Sequence, residues 1–296
     1  MTNKSFTEFV KQCCAMREWN LRRFLNKELT GHGFRIIEDD YRSRRDGKYQ
    51  TVHNMLAIRG NNPSICLAAH TDVCRDHCYG EAEDVYPVVK KMMIRGEMRK
   101  IIQDEHCQIQ VGGDDRLGVA INTWIATHTN FDMGLVFFTD EEIGVCSSQY
   151  CKMPELLDFD LVLQVDRGNH SHQLVNRIGG LELCSDETSD LLIEIAGHIG
   201  LPREKVNGLL TDVYALKRNG VIKEGVNMTC GYHNSIGADR DEYIDIEEAR
   251  DTVKFVESVV EYYETMKALT NKITDEKNLT EEMINELVDS SVKVSG

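Results

Sequence analysis

Hydrophobic positions change period several times along the chain. Phe6, Phe9, Val10, Cys13 and Met16 fall at helical spacing behind Ser5-Phe6-Thr7-Glu8, which reads as a capping box. The spacing predicts one amphipathic helix running on to Leu25, with Gly31 as its stop. Short continuous apolar runs then follow: RIIEDDY, TVHNMLAIRG, SICLAAHTD behind the turn Asn61-Asn62-Pro63, MGLVFFTDEE and DLVLQVDRG. KKMMIRGEMRKIIQDE predicts a hairpin around Gly96, and LGVAINTWIATHT a helix behind Gly112-Gly113. The later third alternates again, with helices over Thr188–His198 and TDVYALKRNG and a strand GVNMTCGY. A long helix opened by Asp245-x-x-Glu248 carries Val253, Val256, Val259, Val260, Tyr263 and Met266 toward a core. Continuous apolar strands alternating with helices imply a sheet buried on both faces, hence an α/β fold.

The same pattern divides the chain into one domain over 1–266 and a polar tail over 267–296, with a short helical patch at Met283, Ile284, Leu287 and Val288. Among the 296 residues, 34 Lys+Arg stand against 49 Asp+Glu, a net charge of −15. That balance, without a basic stripe, argues against nucleic acid as a partner. No apolar run reaches the ~18 residues of a membrane span, and the N-terminus lacks a signal-peptide core. The ten cysteines follow no regular spacing, so the expectation is a reduced, cytoplasmic protein with thiols mostly in the core. Cys74-x-x-His77-Cys78 is a weak candidate for a structural zinc site, because no second pair stands at a matching spacing.

Ligands of open α/β sheets collect at the carboxyl ends of strands, and acids and histidines stand at five such places here. His70 and Asp72 follow ICLAA, Asp114-Asp115 opens a helix, Glu141-Glu142 follows LVFFTD, Asp166 ends LVLQV, and His233 follows MTCGY. Each alone has an ordinary reading as a turn, a helix start or a surface pair. Together they offer the imidazole and carboxylate ligands of divalent zinc. Two dications would be balanced by Asp114, Glu142, Asp166 and one bridging hydroxide, leaving Glu141 as a general base beside water acidified by the metal.

AAHTDVC, GGDDRLG, FTDEEIG, LQVDRG and GYHN, in this order, resemble the signature blocks of the co-catalytic di-zinc exopeptidases, the group of the leucyl-type aminopeptidases and peptidase T. The resemblance implies a three-layer sandwich with a mixed, mostly parallel central sheet flanked by helices. It further implies His70, Asp114, Glu142, Asp166 and His233 as metal ligands, Asp72 as the group orienting His70, Glu141 as the base, and a cis peptide between Asp114 and Asp115. The cofactors implied are two divalent ions, Zn2+ first, with Co2+ or Mn2+ as alternatives.

Two departures matter. Peptidase T carries a further histidine after its Gly-x-His-Asn, where this chain has Ile236. His233 is nevertheless the only histidine downstream of His198 and is taken as the ligand. Only 67 positions separate Asp166 from His233, too few for the lid domain of that branch, so its substrate preference does not carry over. The expected function is cleavage of a small peptide near a chain end, as an aminopeptidase or di/tripeptidase. The alternatives are a deacylase of N-acyl amino acids and a catalytically silent peptide-binding protein. Arg116, Arg167 and Asn169 could hold a substrate carboxylate, and Asp212 and Tyr214 a substrate amine, or each could be structural.

Overall fold

The structure, a computed structural model, describes residues 5–45, 48–74, 84–107, 109–234 and 241–269. In chain order its elements are α1 (Phe6–Ala15), α2 (Glu18–Gly31), the hairpin β1 (Arg35–Arg45) and β2 (Lys48–Arg59), β3 (Ile65–His70), the hairpin β4 (Pro87–Ile94) and β5 (Glu97–Asp104), α3 (Gly113–His128) and β6 (Met133–Phe138). They continue with α4 (Cys146–Gln149), β7 (Leu161–Arg167), β8 (Gln173–Ile178), β9 (Leu181–Glu182), α5 (Asp186–His198), β10 (Glu204–Asn207), α6 (Asp212–Arg218), β11 (Gly225–Thr229), β12 (Tyr232–His233), β13 (Tyr243–Asp245) and α7 over 246–269. The tail expected over 267–296 lies outside the described residues from 270 on, as do His77 and Cys78 of the weak zinc candidate.

β3 and β6 are buried at every position, which requires a layer on each side of the sheet. Side-chain alternation supplies both. Leu67, Ala69, Leu135 and Phe137 enter one core with α1, α2, α3 and α7, while Cys66, Ala68, Val136 and Phe138 enter the other with α6. The main sheet runs β1-β2-β6-β3-β7-β11-β8-β10, with β9 on β8. Its centre, β6-β3-β7-β11, is parallel, whereas β2 and β8 join it antiparallel. The fold is therefore α/β, a mixed sheet with a parallel centre between helical layers. A second sheet, β12-β13-β5-β4, is antiparallel throughout. Among the described residues every cysteine is free, and no helix is long and apolar enough to cross a membrane.

The single first helix is corrected to two. Met16 and Arg17 are extended, with ψ of 140° and 150°, although neither glycine nor proline marks the break. Packing explains it: Phe6 and Phe9 of α1 meet the Trp124 ring edge-on at 5.5 and 5.7 Å, while α2 turns Leu21, Leu25 and Leu29 into the same core. One straight helix cannot present both faces. Arg116 Nη1 donates to Met16 O at 3.1 Å and fixes the corner. In α7, Val256, Val259 and Val260 are buried as expected, Phe255 is buried beside them, and Met266 is exposed instead. Asp245 caps α7 by accepting from the Glu247 and Glu248 amides, but Glu248 turns away from the cap to His233.

Candidate metal centre

The parallel strands β3, β6 and β7 deliver their carboxyl ends to one edge of the sheet, and the chain passes from β3 to β6 on one side and then from β6 to β7 on the other side of β3. Such a switch point opens a crevice. His70 closes β3, Asp166 lies near the end of β7, and Glu141 and Glu142 follow β6. Asp114 comes from the start of α3, where Gly112 takes φ +86° and the Asp114–Asp115 peptide is cis.

These side chains converge. His70 Nε2 lies 3.1 Å from Asp114 Oδ1, 3.4 Å from Asp166 Oδ1 and 3.9 Å from Glu141 Oε2. Its Nδ1 is 3.0 Å from the Asp72 carbonyl oxygen. Donating that proton leaves the Nε2 lone pair toward the acids, the tautomer a ligand needs. One ligand atom each from His70, Asp114 and Glu142 lie within 4.8 Å of one another, and so do those from His70, Asp115 and Asp166.

Buried charges of one sign are costly unless neutralised. Burial, with the neighbouring Asp114, drives the Glu142 carboxyl up to about 9, and burial raises Asp166 to about 6. Burial also pushes Glu141 and Asp115 well above the carboxylate range. Burial alone would lower the imidazole pKa of His70, but the facing Asp166, Asp114 and Asp72 raise it well above its ordinary value. Four acids around one imidazole, all held by the fold, form a donor set suited to a divalent cation.

Asp72 does more than face His70 Nδ1 at 3.4 Å. Its two carboxylate oxygens accept the Glu141 and Glu142 amides, each at 3.2 Å, and pin that segment against the end of β3. Asp115 accepts the His70 amide at 3.2 Å and the Gly118 amide at 3.0 Å, joining β3 to the first turn of α3.

His233 is not brought to this group. Tyr232 and His233 are successive residues of a strand, so their side chains point to opposite faces. Tyr232 takes the inner face, with its hydroxyl 3.4 Å from Asp166 Oδ1. His233 consequently pairs with Glu248 at 2.9 Å and stacks on Tyr243, ring centroids 5.1 Å apart. His233, expected as a ligand, thus lies outside both candidate groups, and His70 is the one histidine in either of them among the described residues. Arg116, Arg167 and Asn169 are held by the fold, donating to Met16 O and Gln173 Oε1 and accepting from the Asn234 amide respectively.

Sequence reasoning missed three supporting groups. Glu242, fully buried, accepts the Gly112 amide at 2.6 Å and the Asp114 amide at 3.2 Å, and burial raises its carboxyl to about 7. Gln164 Nε2 donates to Asp166 and Asp212, each at 3.0 Å. Thr211 Oγ1 stands 3.1 Å from Asp166 Oδ2. Gln164 and Asp166 share one face of β7, a period-2 signal in LVLQVD that could have exposed the pair.

No protein-family model matches the sequence, and no curated protein matches it. Solved structures do. Aminopeptidase PepT from Bacillus cereus is similar with a TM-score of 0.65 at 12% identity, covering 87% of this chain and 98% of that one. A Zn-dependent exopeptidase from Parabacteroides distasonis gives 0.61 at 12% identity, over 86% and 96%. A glutaminyl cyclase from Bacteroides thetaiotaomicron gives 0.61 at 14% identity, over 86% and 96%. Strand order, the strand-end cluster and these similarities together establish that the chain has the zinc-exopeptidase type of fold.

Proposed function

We propose that the protein is a metal-dependent hydrolase that cleaves a peptide bond near a chain end, as an aminopeptidase or di/tripeptidase. The observation that carries this reading is Glu141. It is held by its amide on Asp72, sits 3.9 Å from His70 Nε2, and belongs to neither group of candidate ligands. A binding site has no use for a buried carboxyl beside its ligands, whereas hydrolysis needs one. Its raised pKa suits it to take a proton from water and pass it to the leaving amine.

The proposed complement is two divalent ions, Zn2+ first and Co2+ or Mn2+ as alternatives. His70, Asp114 and Asp166 would hold one, and Asp114 with Glu142 the other. With His233 engaged by Glu248, the second would have one protein donor fewer. Bound ions supply Lewis acidity, polarising the scissile carbonyl and acidifying water. Asp72 orients His70, and Gln164 and Thr211 hold Asp166 from behind.

The test is Glu141→Gln, assayed on di- and tripeptides with free or blocked termini, N-acyl amino acids and peptides with N-terminal glutamine. The parent should cleave free-amine peptides, and the variant should keep its metal while losing about 100-fold or more in rate. Cleavage of N-acyl amino acids alone would assign a deacylase instead. Ammonia release from N-terminal glutamine would assign the cyclase reaction of the Bacteroides relative.

A further inference from the structure

A cleft of about 340 Å³ opens between α2 and the β1–β2 hairpin, within the size range of ligand pockets. Its floor is Met55 and His53 of β2, on the sheet face that carries α2. Trp19, Arg22, Arg23 and Lys27 of α2 form its wall, opposed by Glu38 of β1. Three cations against one carboxylate is unusual on a chain of net charge −15. Several basic groups elsewhere on the surface face an acid, as in Lys11–Glu8, Arg177–Glu182, Lys205–Asp190 and Lys223–Asp160. Arg23 and Lys27 make no ion pair among the described residues, and Trp19 is 67% exposed beside them. His53 is already taken by Asp40 at 2.5 Å.

The cleft adjoins the candidate metal centre. Glu18, the residue before Trp19, accepts from the Thr71 hydroxyl at 3.1 Å, and Thr71 lies between His70 and Asp72. Register gives the same answer from the sheet side. Met55 pairs with Phe137 across antiparallel strands, so His53 stands beyond the carboxyl end of β6, where Asp140 and Glu141 follow. An extended chain whose scissile bond lay among His70, Asp114 and Glu141 would therefore reach the cleft within a few residues, at ~3.3 Å per residue.

We propose that this cleft binds the carboxylate side chains of an acidic peptide, making the protein selective for substrates with Asp or Glu beyond the cleaved bond. Arg23 and Lys27 supply the charge, Arg22 adds to it, and the Trp19 ring covers the aliphatic stems. Within a protein of strongly negative field, a local cationic cleft also sorts anionic ligands toward the one place that accepts them. The inference rests on the peptidase reading above, and its test is separable from it.

The Glu141→Gln protein, metal-loaded, is titrated with Leu-Glu-Glu-Glu and with the isosteric Leu-Gln-Gln-Gln while tryptophan fluorescence is followed. The acidic peptide should bind roughly tenfold tighter at low salt, with the advantage shrinking as ionic strength rises. In Arg23→Ala/Lys27→Ala the ratio should fall to near one, and in Trp19→Phe the fluorescence change should vanish. Both sites are on the surface of α2, and an unchanged melting temperature confirms that the variants fold. Equal affinity for the two peptides, or a preference that survives the double variant, would overturn the proposal. So would tighter binding of inorganic phosphate or a nucleoside monophosphate than of the acidic peptide. An acidic preference in binding combined with no peptide cleavage by the parent protein would leave the cleft standing and remove the peptidase reading.

Discussion

His70 and His233 show how one residue type takes two roles from its surroundings. His70 has a carbonyl on Nδ1 and three carboxyl groups around Nε2, while His233 has its Nε2 on Glu248 and its ring on Tyr243. Removing the first should empty the centre, and removing the second should leave it filled. Elemental analysis of purified His70→Ala should find little bound metal, whereas His233→Ala should match the parent. A drop in His233→Ala comparable to that in His70→Ala would restore His233 as a ligand. The candidates His70, Glu142 and Asp166 are legible because each stands at or just past the end of an apolar strand, a boundary visible as a change in hydropathy, whereas Asp114 is marked by Gly112-Gly113 at a helix start. Glu242 is not legible. It stands in the polar run ADRDEY, where nothing in the spacing tells which acid turns inward. Only the pairing of β12 with β13, and of β13 with β5, places it under α3.

At the scale of elements, the start of α3 is a tightly held piece of backbone. Glu242 holds two of its amides, and Tyr232 packs against Gly113 from one side and Gly168 from the other. A Cβ on Gly113 would stand 2.5 Å from the Tyr232 Cβ, part of a side-chain stem that cannot swing away. Gly113→Ala should therefore displace either Tyr232 or Asp114. The expected cost is about 1–3 kcal/mol of stability, read as a lowered melting temperature together with reduced metal content. Normal melting and normal metal would show that α3 is more yielding than this packing allows. The alternation of helix and strand was readable because each element keeps one period for several residues. The break between α1 and α2 was not, since Met16 and Arg17 are poor markers of a helix end. It comes from α3 on the other side, through Trp124 and Arg116, and tertiary packing of that kind leaves no local trace.

For the whole molecule, the acidic centre makes stability depend on protons or on their replacement. Burial raises Asp166 to about 6, Asp212 and Glu242 to about 7, and Glu142 to about 9. A carboxyl whose folded pKa lies above its unfolded one binds more protons in the folded state. Its stabilising contribution is complete below the ordinary carboxylate range and is lost as pH rises through the folded value. The metal-free protein should therefore melt at progressively lower temperature from pH 6 to pH 9. Divalent metal should flatten that slope, because it neutralises the same acids without needing protons. A metal-free melting temperature that stays level or climbs over this range would contradict the burial of these groups.

The order of strands in the main sheet also bears on how the chain is made. β11 lies between β7 and β8, and α7 shares a core with α1, the Arg250 side chain reaching Thr7 at 3.5 Å. During synthesis, β8 and β10 have no place in the sheet until residues 225–229 have left the ribosome. The core that α1 and α3 share with the sheet is completed only when Phe255 and Val259 follow. The nascent chain must accordingly carry an unfinished sheet edge and an open core for most of its elongation, and completes its fold only when nearly all the described residues have emerged.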